Sequence, residues 1–514
     1  MRRRIRAIAI PLAAVAVAAC LPAQAPAAER PANPSNLSSV FASAAPGDVV
    51  VLASGNYGTF EGGHKPGVVT LRPAPGAQVT IELNFRNASN IAVVGIQNIT
   101  EAWLEGSQTK NITVRGSYFS GQTTFRTGSL QNANILFDGN RHGPWSTCSG
   151  CTEARMWFPQ KTSQPSGITV QNSVFGPGGD SDGIQNGSRG TQILNNTFVG
   201  ITQKSGGLAH ADAIQLYGSS NTVIRGNFFL DVSNCLMAPD GADHEIYEDN
   251  VCVQKVGNGT VGAMQLGSDD GSRIVHNTFY DSGGRDCDYN TRCGIMSFGA
   301  KDGDPAPSGT VVRDNIVASL SQFSSSQSQS YNLFTSDSRN GSGNIFGRPS
   351  YVGGARPMTK AGYRLAPGSI GKGAASDGLD MGARISVAPG GSTPPPAPGG
   401  STGNSGRPGV RLLSGRKALR RRGRIRLRVT SAAAGRVVLV AAVRPKARRN
   451  GRPVRLGPKT LRFARAGSRV VKLRASRDAR RRLRAWGKPR LVVRTFGGPG
   501  RRQPTGTFAF RVRR

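Results

Sequence analysis

Two similar stretches of the sequence place groups that can move protons beside short apolar runs. Residues 210–216 read HADAIQL, with His210 two positions before Asp212, and residues 182–186 read DGIQN, with Asp182 in the corresponding place. Because histidine titrates near neutral pH, His210 is the candidate general base, with Asp212 as its partner. An aspartate at the start of a strand can also serve only to accept backbone N–H bonds at the turn.

Two reactions on a polysaccharide suit these groups. Hydrolysis of a glycosidic bond needs two carboxylates, which Asp180, Asp182 and Asp212 can supply. β-Elimination from a uronate needs a base and a cation that neutralises the uronate carboxylate. Loops that lead into one predicted column of strands carry such cations: Lys204, Lys255, Arg285 and Arg292. The predicted catalytic residues are His210, Asp212, Asp182, Lys204 and Lys255.

The elements that must position these groups form a repeat. Each unit has three or four β-prone residues, then Gly, Asn or Asp before a small polar residue, and then in most cases an apolar one. Such short strands cannot bury a core alone, but stacked coils can. The Asn, Ser and Thr side chains of the turns would then lie above one another and hydrogen-bond in ladders. The repeated segments are NITVRGSYF, NILFDGNRH, GITVQNSVF, TQILNNTFV, NTVIRGNFF, HEIYEDNVC, SRIVHNTFY and GTVVRDNIV.

A second strand precedes most of these segments, and strand alternation sorts its side chains by direction. The predicted inward column is Ile184, Ile214, Leu236, Met264 and Met296. One predicted outward column is Gln185, Gln215, Met237, Gln265 and Ser297, headed by Trp157. The other is Gly183, Ala213, Cys235, Ala263 and Ile295, headed by Arg155.

Amides beside small residues, with an indole at one end, suit a groove that binds sugars. The glutamines can instead satisfy only one another's hydrogen bonds. The predicted substrate-binding residues are Gln185, Gln215, Gln265, Trp157, Arg155, Arg285 and Arg292.

The repeats resemble the right-handed parallel β-helix proteins of the pectin-lyase-like superfamily. The opening NLSSVFASAAPGDVVVLASGNYGTF, from Asn36, is similar to the first coil of the chondroitinase B and alginate lyase family, with its PGD-x-hydrophobic-x-x-x-G-x-Y segment. The resemblance covers about residues 34–385 and implies an all-β, right-handed parallel β-helix. It implies an activity only loosely, because this scaffold carries lyases, hydrolases, epimerases and adhesins without activity.

One run also resembles the polygalacturonase family. DSDGI, which contains Asp182, is similar to the NTDGI segment of that family and implies a catalytic acid there. The family's second segment, DDCI, corresponds to residues 211–214, where Asp212 stands without a second aspartate. The family's glycine-flanked histidine has no counterpart in residues 261–264, and beyond the first coil the lyase family's metal-ligand and Lys/Arg pattern is not matched. Hydrolysis and elimination therefore both stay open.

The cysteines and aspartates of the sequence bear on disulfide bonds and on metal binding. Beyond Cys20 the chain has six cysteines. In an exported chain they predict disulfides, and six permit 15 pairings, of which three short bridges between sequence neighbours are favoured. No metal site is predicted, but Ca²⁺ stays open as a cofactor because four acidic residues offer oxygen ligands. These acids are Asp180, Asp182, Asp269 and Asp270. The cysteines are Cys148, Cys151, Cys235, Cys252, Cys287 and Cys293.

Composition divides the chain into four parts. Residues 1–28 combine an arginine-rich start, a short apolar core and an Ala-rich end, which predicts a secretory signal peptide. The run VAAC, ending at Cys20, also fits the signal of a lipoprotein. Residues 29–385 are the predicted β-helix, residues 386–409 a Gly/Pro/Ser linker, and residues 410–514 an Arg-rich β-sandwich-like domain.

Charge indicates the class of partner. The last part holds 35 Lys and Arg against one acid, and the whole chain has a net charge of +37. Export makes nucleic acid a poor match, so we expect an acidic polysaccharide or an anionic cell-wall polymer. After the signal no apolar run is long enough to span a membrane, and we expect a monomer.

Together these features predict an exported or envelope-associated β-helix with a polysaccharide groove over about residues 155–298. It would bind and cleave a uronate-containing chain, with β-elimination favoured over hydrolysis. The alternative is a carbohydrate-binding, adhesin-like protein of the cell envelope without catalytic activity.

Overall fold

The chain divides into two compact units, residues 1–398 and residues 399–514. A computed structural model describes the first unit from residue 27 to 385, with gaps at 127–129, 145–153, 159–163, 180, 204–210, 240, 256–261, 282–292 and 301–303. In the second unit it describes seven strands. The boundary between the units falls inside the predicted linker.

The first unit is a right-handed parallel β-helix, as predicted, with three columns of strands. Sheet 1 consists of β1 (Glu29–Ala32), β2 (Val49–Leu52), β4 (His64–Pro73), β6 (Ser89–Val94), β8 (Lys110–Arg115), β11 (Ile135–Asp138), β14 (Ile168–Gln171), β18 (Gln192–Leu194), β23 (Val223–Arg225), β27 (Ile246–Glu248), β30 (Arg273–Val275), β33 (Val311–Arg313) and β36 (Ser328–Ser330). These strands include the repeated segments that the sequence revealed.

Sheets 2 and 3 complete each coil and are joined through β7, which pairs with strands of both. Sheet 2 consists of β9 (Tyr118–Phe119), β12 (Arg141–His142), β15 (Val174–Phe175), β19 (Thr197–Val199), β24 (Phe228–Val232), β28 (Val251–Gln254), β31 (Thr278–Phe279), β34 (Ile316–Val317), β37 (Leu333–Phe334) and β38 (Ile345–Phe346). Sheet 3 consists of β3 (Gly55–Phe60), β5 (Val79–Arg86), β7 (Asn98–Glu105), β10 (Thr123–Phe125), β13 (Ala154–Phe158), β17 (Asp182–Asn186), β21 (Asp212–Leu216), β25 (Asn234–Ala238), β29 (Met264–Leu266), β32 (Ile295–Ser297) and β35 (Ser319–Ser321). Two short pairs join neighbouring coils, β16 (Gly178–Gly179) with β20 (Ile201–Thr202) and β22 (Ser219–Ser220) with β26 (Ala242–Asp243).

A single residue in the left-handed region turns the chain from sheet 1 into sheet 2. Gly226 has φ +71° and Asn195 has φ 53° at this point of their coils. Glycine, and to a lesser degree Asn and Asp, adopt this conformation at low cost, which explains why the repeat carries these residues there.

The residue after that turn forms the ladder that the sequence predicts. The Asn227 backbone N–H donates to Asn250 Oδ1 at 2.9 Å, and Asn250 Nδ2 donates to the Ile224 carbonyl at 2.8 Å. Each rung thus satisfies buried backbone groups of a neighbouring coil. The rungs are Ser117, Asn140, Ser173, Asn196, Asn227, Asn250, Asn277, Asn315, Asn332 and Asn344.

Aromatic rings stack inside the coils along sheet 2. Successive ring centroids lie 4.4, 4.5, 4.9 and 5.0 Å apart in the order Phe119, His142, Phe175, Phe198 and Phe229. His142 is fully buried, and neither of its ring nitrogens has a hydrogen-bond partner. Burial, with a smaller effect of the Arg155 charge, lowers the pKa of His142 to about 3. The imidazole is therefore neutral and packs as a ring among phenylalanines.

A short helix packs on the first coil of the β-helix. At the first coil, α1 (Leu37–Ser43) packs Phe41 edge-on against Phe60, at 5.0 Å between centroids. The aspartate of the opening motif, Asp48, accepts the backbone N–H groups of Ala28 and Ala45. These bonds and the Arg30 guanidinium lower its pKa to about 2, so this motif serves the fold.

A segment that the repeat pattern did not predict covers one side of the β-helix. Residues 348–385, here called the C-terminal strap, contain one short 3-10 helix (Lys360–Tyr363) and fold over the outer face of sheet 2. Arg356 pairs with Asp231 at 2.5 Å, and the Arg384 backbone N–H donates to Asp249 at 2.9 Å. The strap and the sheet together bury Phe228, Leu230, Val251, Val253, Tyr280, Ile316, Leu333, Tyr351, Tyr363, Leu365, Ala375 and Met381.

The second unit contains antiparallel strands, in agreement with the all-β prediction. A three-stranded sheet has the order β39 (Gly409–Leu412), β40 (Arg424–Ser431), β43 (Gly467–Arg474). A four-stranded sheet has the order β42 (Val454–Phe463), β41 (Gly435–Arg444), β44 (Arg490–Gly497), β45 (Gly506–Arg511). In the part of the chain that the structure describes, no helix is long and apolar enough to cross a membrane.

Candidate functional site

One outward column runs the length of sheet 3 and contains the predicted glutamines. The register pairs Trp157 with Gln185, Gln185 with Gln215, and Gln215 with Met237. The column continues through Gln265. The inward neighbours Ile184, Ile214, Leu236, Met264 and Met296 are all buried. The register therefore places Trp157 and the predicted glutamines in one column, on the side of the sheet opposite these inward residues.

The amides of this column form a nearly closed surface. Gln185 Nε2 donates to Gln215 Oε1 at 2.9 Å, so at least these two glutamines satisfy each other. Both are buried, whereas Trp157 and Gln265 are half-buried. The result is a polar strip with an indole at one end, in which Trp157 and Gln265 keep exposed surface.

The two aspartates stand one above the other at the start of neighbouring strands of sheet 3. Asp182 Oδ1 accepts the Asp212 backbone N–H at 2.7 Å, and Asp212 Oδ1 accepts Asn234 Nδ2 at 2.6 Å. Both carboxylates are buried. The predicted structural role for these aspartates, the acceptance of a backbone N–H at the entry to a strand, is present at Asp182.

The second column was expected to face outward and instead faces the interior. A Cβ on Gly183 would lie 2.8 Å from the Phe198 ring, and Cys235 is disulfide-bonded to Cys252, which pairs in register with Phe229 of the aromatic stack. Ala213 and Ala263 belong to the hydrophobic core. Strict alternation fails here because the chain turns the corner between sheets 2 and 3 at these positions.

Arg155 heads that column, and its predicted outward position is wrong. The side chain is fully buried. Its Nη1 donates to the carbonyls of Ser181 and Asp182 at 3.0 and 3.1 Å, so the guanidinium holds the corner of the next coil. Burial lowers the pKa of Arg155 to about 10 and nearby Asp182 opposes that shift, so the group stays cationic at neutral pH. We do not propose a substrate contact for it.

The predicted cations are placed in part. Lys255 is exposed and directly follows β28 of sheet 2, and its backbone N–H donates to the Val232 carbonyl at 2.8 Å. Five of the predicted residues lie outside the described residues: Asp180, Lys204, His210, Arg285 and Arg292.

Sequence reasoning missed the first half of the same outward column. Register pairs Thr124 with both Trp103 and Trp157, so two indoles flank one threonine two coils apart. The Arg126 guanidinium lies 3.8 Å from the centroid of the Trp103 ring. The alternation of apolar and polar residues in ITEAWLE indicates this strand, but the segments that are recognisable as repeats begin only at residue 111.

The acids considered for Ca²⁺ are separated. Asp182 is the first residue of its strand of sheet 3, whereas Asp269 and Asp270 follow the last residue of theirs, at the opposite edge of the sheet. Asp269 accepts the hydroxyl of Ser272, and burial raises its pKa to about 6. Within the described ranges, no group of three or more His, Cys, Asp or Glu side chains could hold a metal ion.

One predicted disulfide is placed completely. Cys235 of β25 and Cys252 of β28 form a bridge between sheet 3 of one coil and sheet 2 of the next. Cys293 is also disulfide-bonded. The structure does not describe Cys148, Cys151 and Cys287.

Comparisons with known proteins agree on the fold. No family model and no curated protein matches the sequence. Among solved structures, the chain is similar to the PL6 family alginate lyase AlyGC, with 14% identity and a TM-score of 0.46 over 70% of this chain and 59% of that one. It is also similar to the A-module of the Azotobacter vinelandii mannuronan C-5 epimerase AlgE6, with 12% identity and a TM-score of 0.24 over 58% of this chain and 87% of that one. The chain thus spans about three fifths of the length of the lyase.

Proposed function

We propose that the outward face of sheet 3 binds an acidic polysaccharide whose chain runs along the axis of the β-helix. The carrying observation is the column in which Trp103 and Trp157 flank Thr124 and lead into the glutamines. Neighbouring strands are about 4.8 Å apart, which is close to the length of one sugar residue in an extended chain. One coil would then meet one sugar, with an indole under alternate residues and amides for hydroxyl groups.

Exposed cations at the face favour an acidic chain over a neutral one. Arg126 on Trp103 can pair with a carboxylate while the indole contacts the sugar ring. Lys255 is exposed at the end of β28, in the chain segment that leads from sheet 2 to β29 of sheet 3. The loops that carry Lys204, His210, Arg285 and Arg292 precede strands of that sheet in sequence.

For the reaction we propose β-elimination, with His210 as the base and Lys204 or Lys255 beside the uronate carboxylate. The base takes the proton at C5, the electron pair forms the C4=C5 double bond, and the C4–O bond breaks. The leaving oxygen takes a proton, and the product is an unsaturated uronide. In this proposal Asp212 is the partner of His210. The Asp182 carboxylate accepts the backbone N–H of Asp212 and so holds that residue in place.

Burial of both aspartates favours a second candidate, which is binding without cleavage. A carboxylate that holds a stack of strands is not available to a substrate, and Asp212 already accepts an amide from Asn234. The protein would then be an exported or envelope-associated carbohydrate-binding protein. The Cys235–Cys252 bridge fits export, because disulfides persist in oxidising compartments.

A screen of polygalacturonate, alginate and chondroitin sulfate separates these candidates. A lyase produces new ultraviolet absorbance from the double bond, and a hydrolase produces reducing ends without that absorbance. A protein that only binds is retained by the polymer and produces neither signal. For a detected lyase, His210→Ala should abolish turnover while binding persists. Asp212→Asn keeps the acceptor for Asn234, so it tests the carboxylate without breaking the ladder. Full activity in both variants would disprove the assignment of the base.

A further inference from the structure

The second unit carries a regular array of cationic positions on its three-stranded sheet. Register pairs Arg424 with Arg474, Arg426 with Lys472, and Arg428 with Val470. The third strand places Arg411 opposite Arg428. These positions alternate with the apolar ones along each strand, so they all belong to one face.

Burial shows which face is the open one. Leu427, Val429 and Val471 are buried and occupy the intervening positions. Val470, which pairs with Arg428, is 47% exposed. The face that contains the cationic positions is therefore accessible to solvent, and the opposite face is the one that packs.

The sequence of this unit offers almost no acidic residue that could neutralise the positive charge of the array. Six of its positions are Arg or Lys, and from residue 410 to the end the chain has 35 Lys and Arg against one acid, Asp478. Adjacent strands are about 4.8 Å apart, and alternate residues are about 6.8 Å apart along a strand. Such a dense positive grid attracts a polymer with closely spaced negative charges. The six cationic positions are Arg411, Arg424, Arg426, Arg428, Lys472 and Arg474.

We propose that this face, here called the cationic face, is a second binding site for a polyuronate, separate from the groove of the first unit. The choice of polymer rests on the proposed function. Nucleic acid is disfavoured because the described positions of the face contain no aromatic residue on which bases could stack. The site would keep the polymer attached to the protein through charge, while the groove recognises individual sugars.

Two triple variants of the full chain test the proposal. Arg424→Gln/Arg426→Gln/Arg428→Gln removes three charges from the cationic face. Arg115→Gln/Arg225→Gln/Arg273→Gln removes three from the outer face of sheet 1 and controls for bulk charge. Binding of long polygalacturonate and alginate is measured at low and at physiological salt. We expect the first variant to lose at least tenfold in affinity, with a shallower salt dependence, and the control to stay within twofold of the natural chain.

Two further measurements keep the test decisive. The Arg424→Lys/Arg426→Lys/Arg428→Lys variant keeps the three charges. It should retain polymer binding if the loss in the glutamine variant comes from the missing charge and not from a disturbed sheet. Binding or turnover of a uronide tetramer reports on the groove alone and should be unchanged in all variants. Undiminished polymer binding in the glutamine triple variant, an equal loss in the control, or tighter binding of DNA than of polyuronate would overturn the proposal. Absence of turnover with retained charge-dependent binding would contradict only the proposed lyase activity.

Discussion

His142 shows what the interior of this β-helix does to a titratable side chain. Its ring lies between Phe119 and Phe175, with both nitrogens buried and without partners. An uncompensated polar group in such a place lowers stability, because its hydrogen bonds to water are lost on folding. Arg155 is the contrasting case, since four backbone carbonyls surround its charge and the corner of the next coil depends on it.

Replacing His142 with Phe should make stability less dependent on pH. The folded pKa of about 3 lies below the ordinary value of 6.5, so the unfolded chain takes up a proton first as pH falls. The natural chain therefore loses stability as pH falls below 6.5, by roughly 1.4 kcal/mol per pH unit until the pH approaches the folded value. Urea unfolding at pH 7 and pH 4.5 should show a loss from this group of roughly 2 to 3 kcal/mol that His142→Phe removes. An unchanged pH dependence in the variant would contradict this account.

At the scale of elements, the ladder after each left-handed turn fixes the register of the coils. The sequence predicted this ladder because its Asn, Ser and Thr positions recur at a fixed place in the repeat. It also predicted the inward column and the Gln column, since strand alternation is a local property. It did not predict that the Gly183 column faces inward. The corner between two sheets depends on how three strands pack, and it produces no periodic pattern in the sequence. For the same reason the sequence misplaced Arg155.

Asn250→Ala tests the ladder. The change removes the acceptor of the Asn227 backbone N–H and the donor to the Ile224 carbonyl, so it leaves buried polar groups unsatisfied. We expect a loss of about 2 to 4 kcal/mol in the free energy of unfolding. Asn250→Ser is the matched control, because Ser173 accepts a backbone N–H at the same place in its own coil. A serine variant as unstable as the alanine variant would show that the acceptor is not what matters.

At the scale of the whole molecule, the groove and the strap occupy different sheets of the first unit. Sheet 3 keeps its Trp–Gln column outward, whereas the outer face of sheet 2 is apolar and is covered by the C-terminal strap. The strap lies beyond the last repeat and lacks its pattern, so where it packs could not be predicted from the sequence. The strap therefore packs on a different sheet from the one that carries the proposed groove.

Tyr363→Ala should therefore damage stability without damaging the groove. Tyr363 is buried against Phe228, Tyr280 and Tyr351, and removal of such a ring costs roughly 3 to 5 kcal/mol. Met358→Ala, at an exposed position of the same strap, should have little effect. Thermal unfolding and binding of a uronide tetramer below the transition temperature measure the two properties. Weakened tetramer binding in folded Tyr363→Ala would mean that the strap contributes to the site.

The most direct measurement of the central claim is the affinity of folded Trp103→Ala and Trp157→Ala variants for a uronide oligomer long enough to span three coils. Phe346→Ala, an exposed aromatic of sheet 2, is the control. The account predicts that each tryptophan variant binds at least tenfold more weakly, a loss of about 1.4 kcal/mol, while its melting temperature and the control's affinity stay unchanged. Affinities of both variants equal to that of the natural chain would contradict the assignment of the sheet 3 face as the polysaccharide-binding groove.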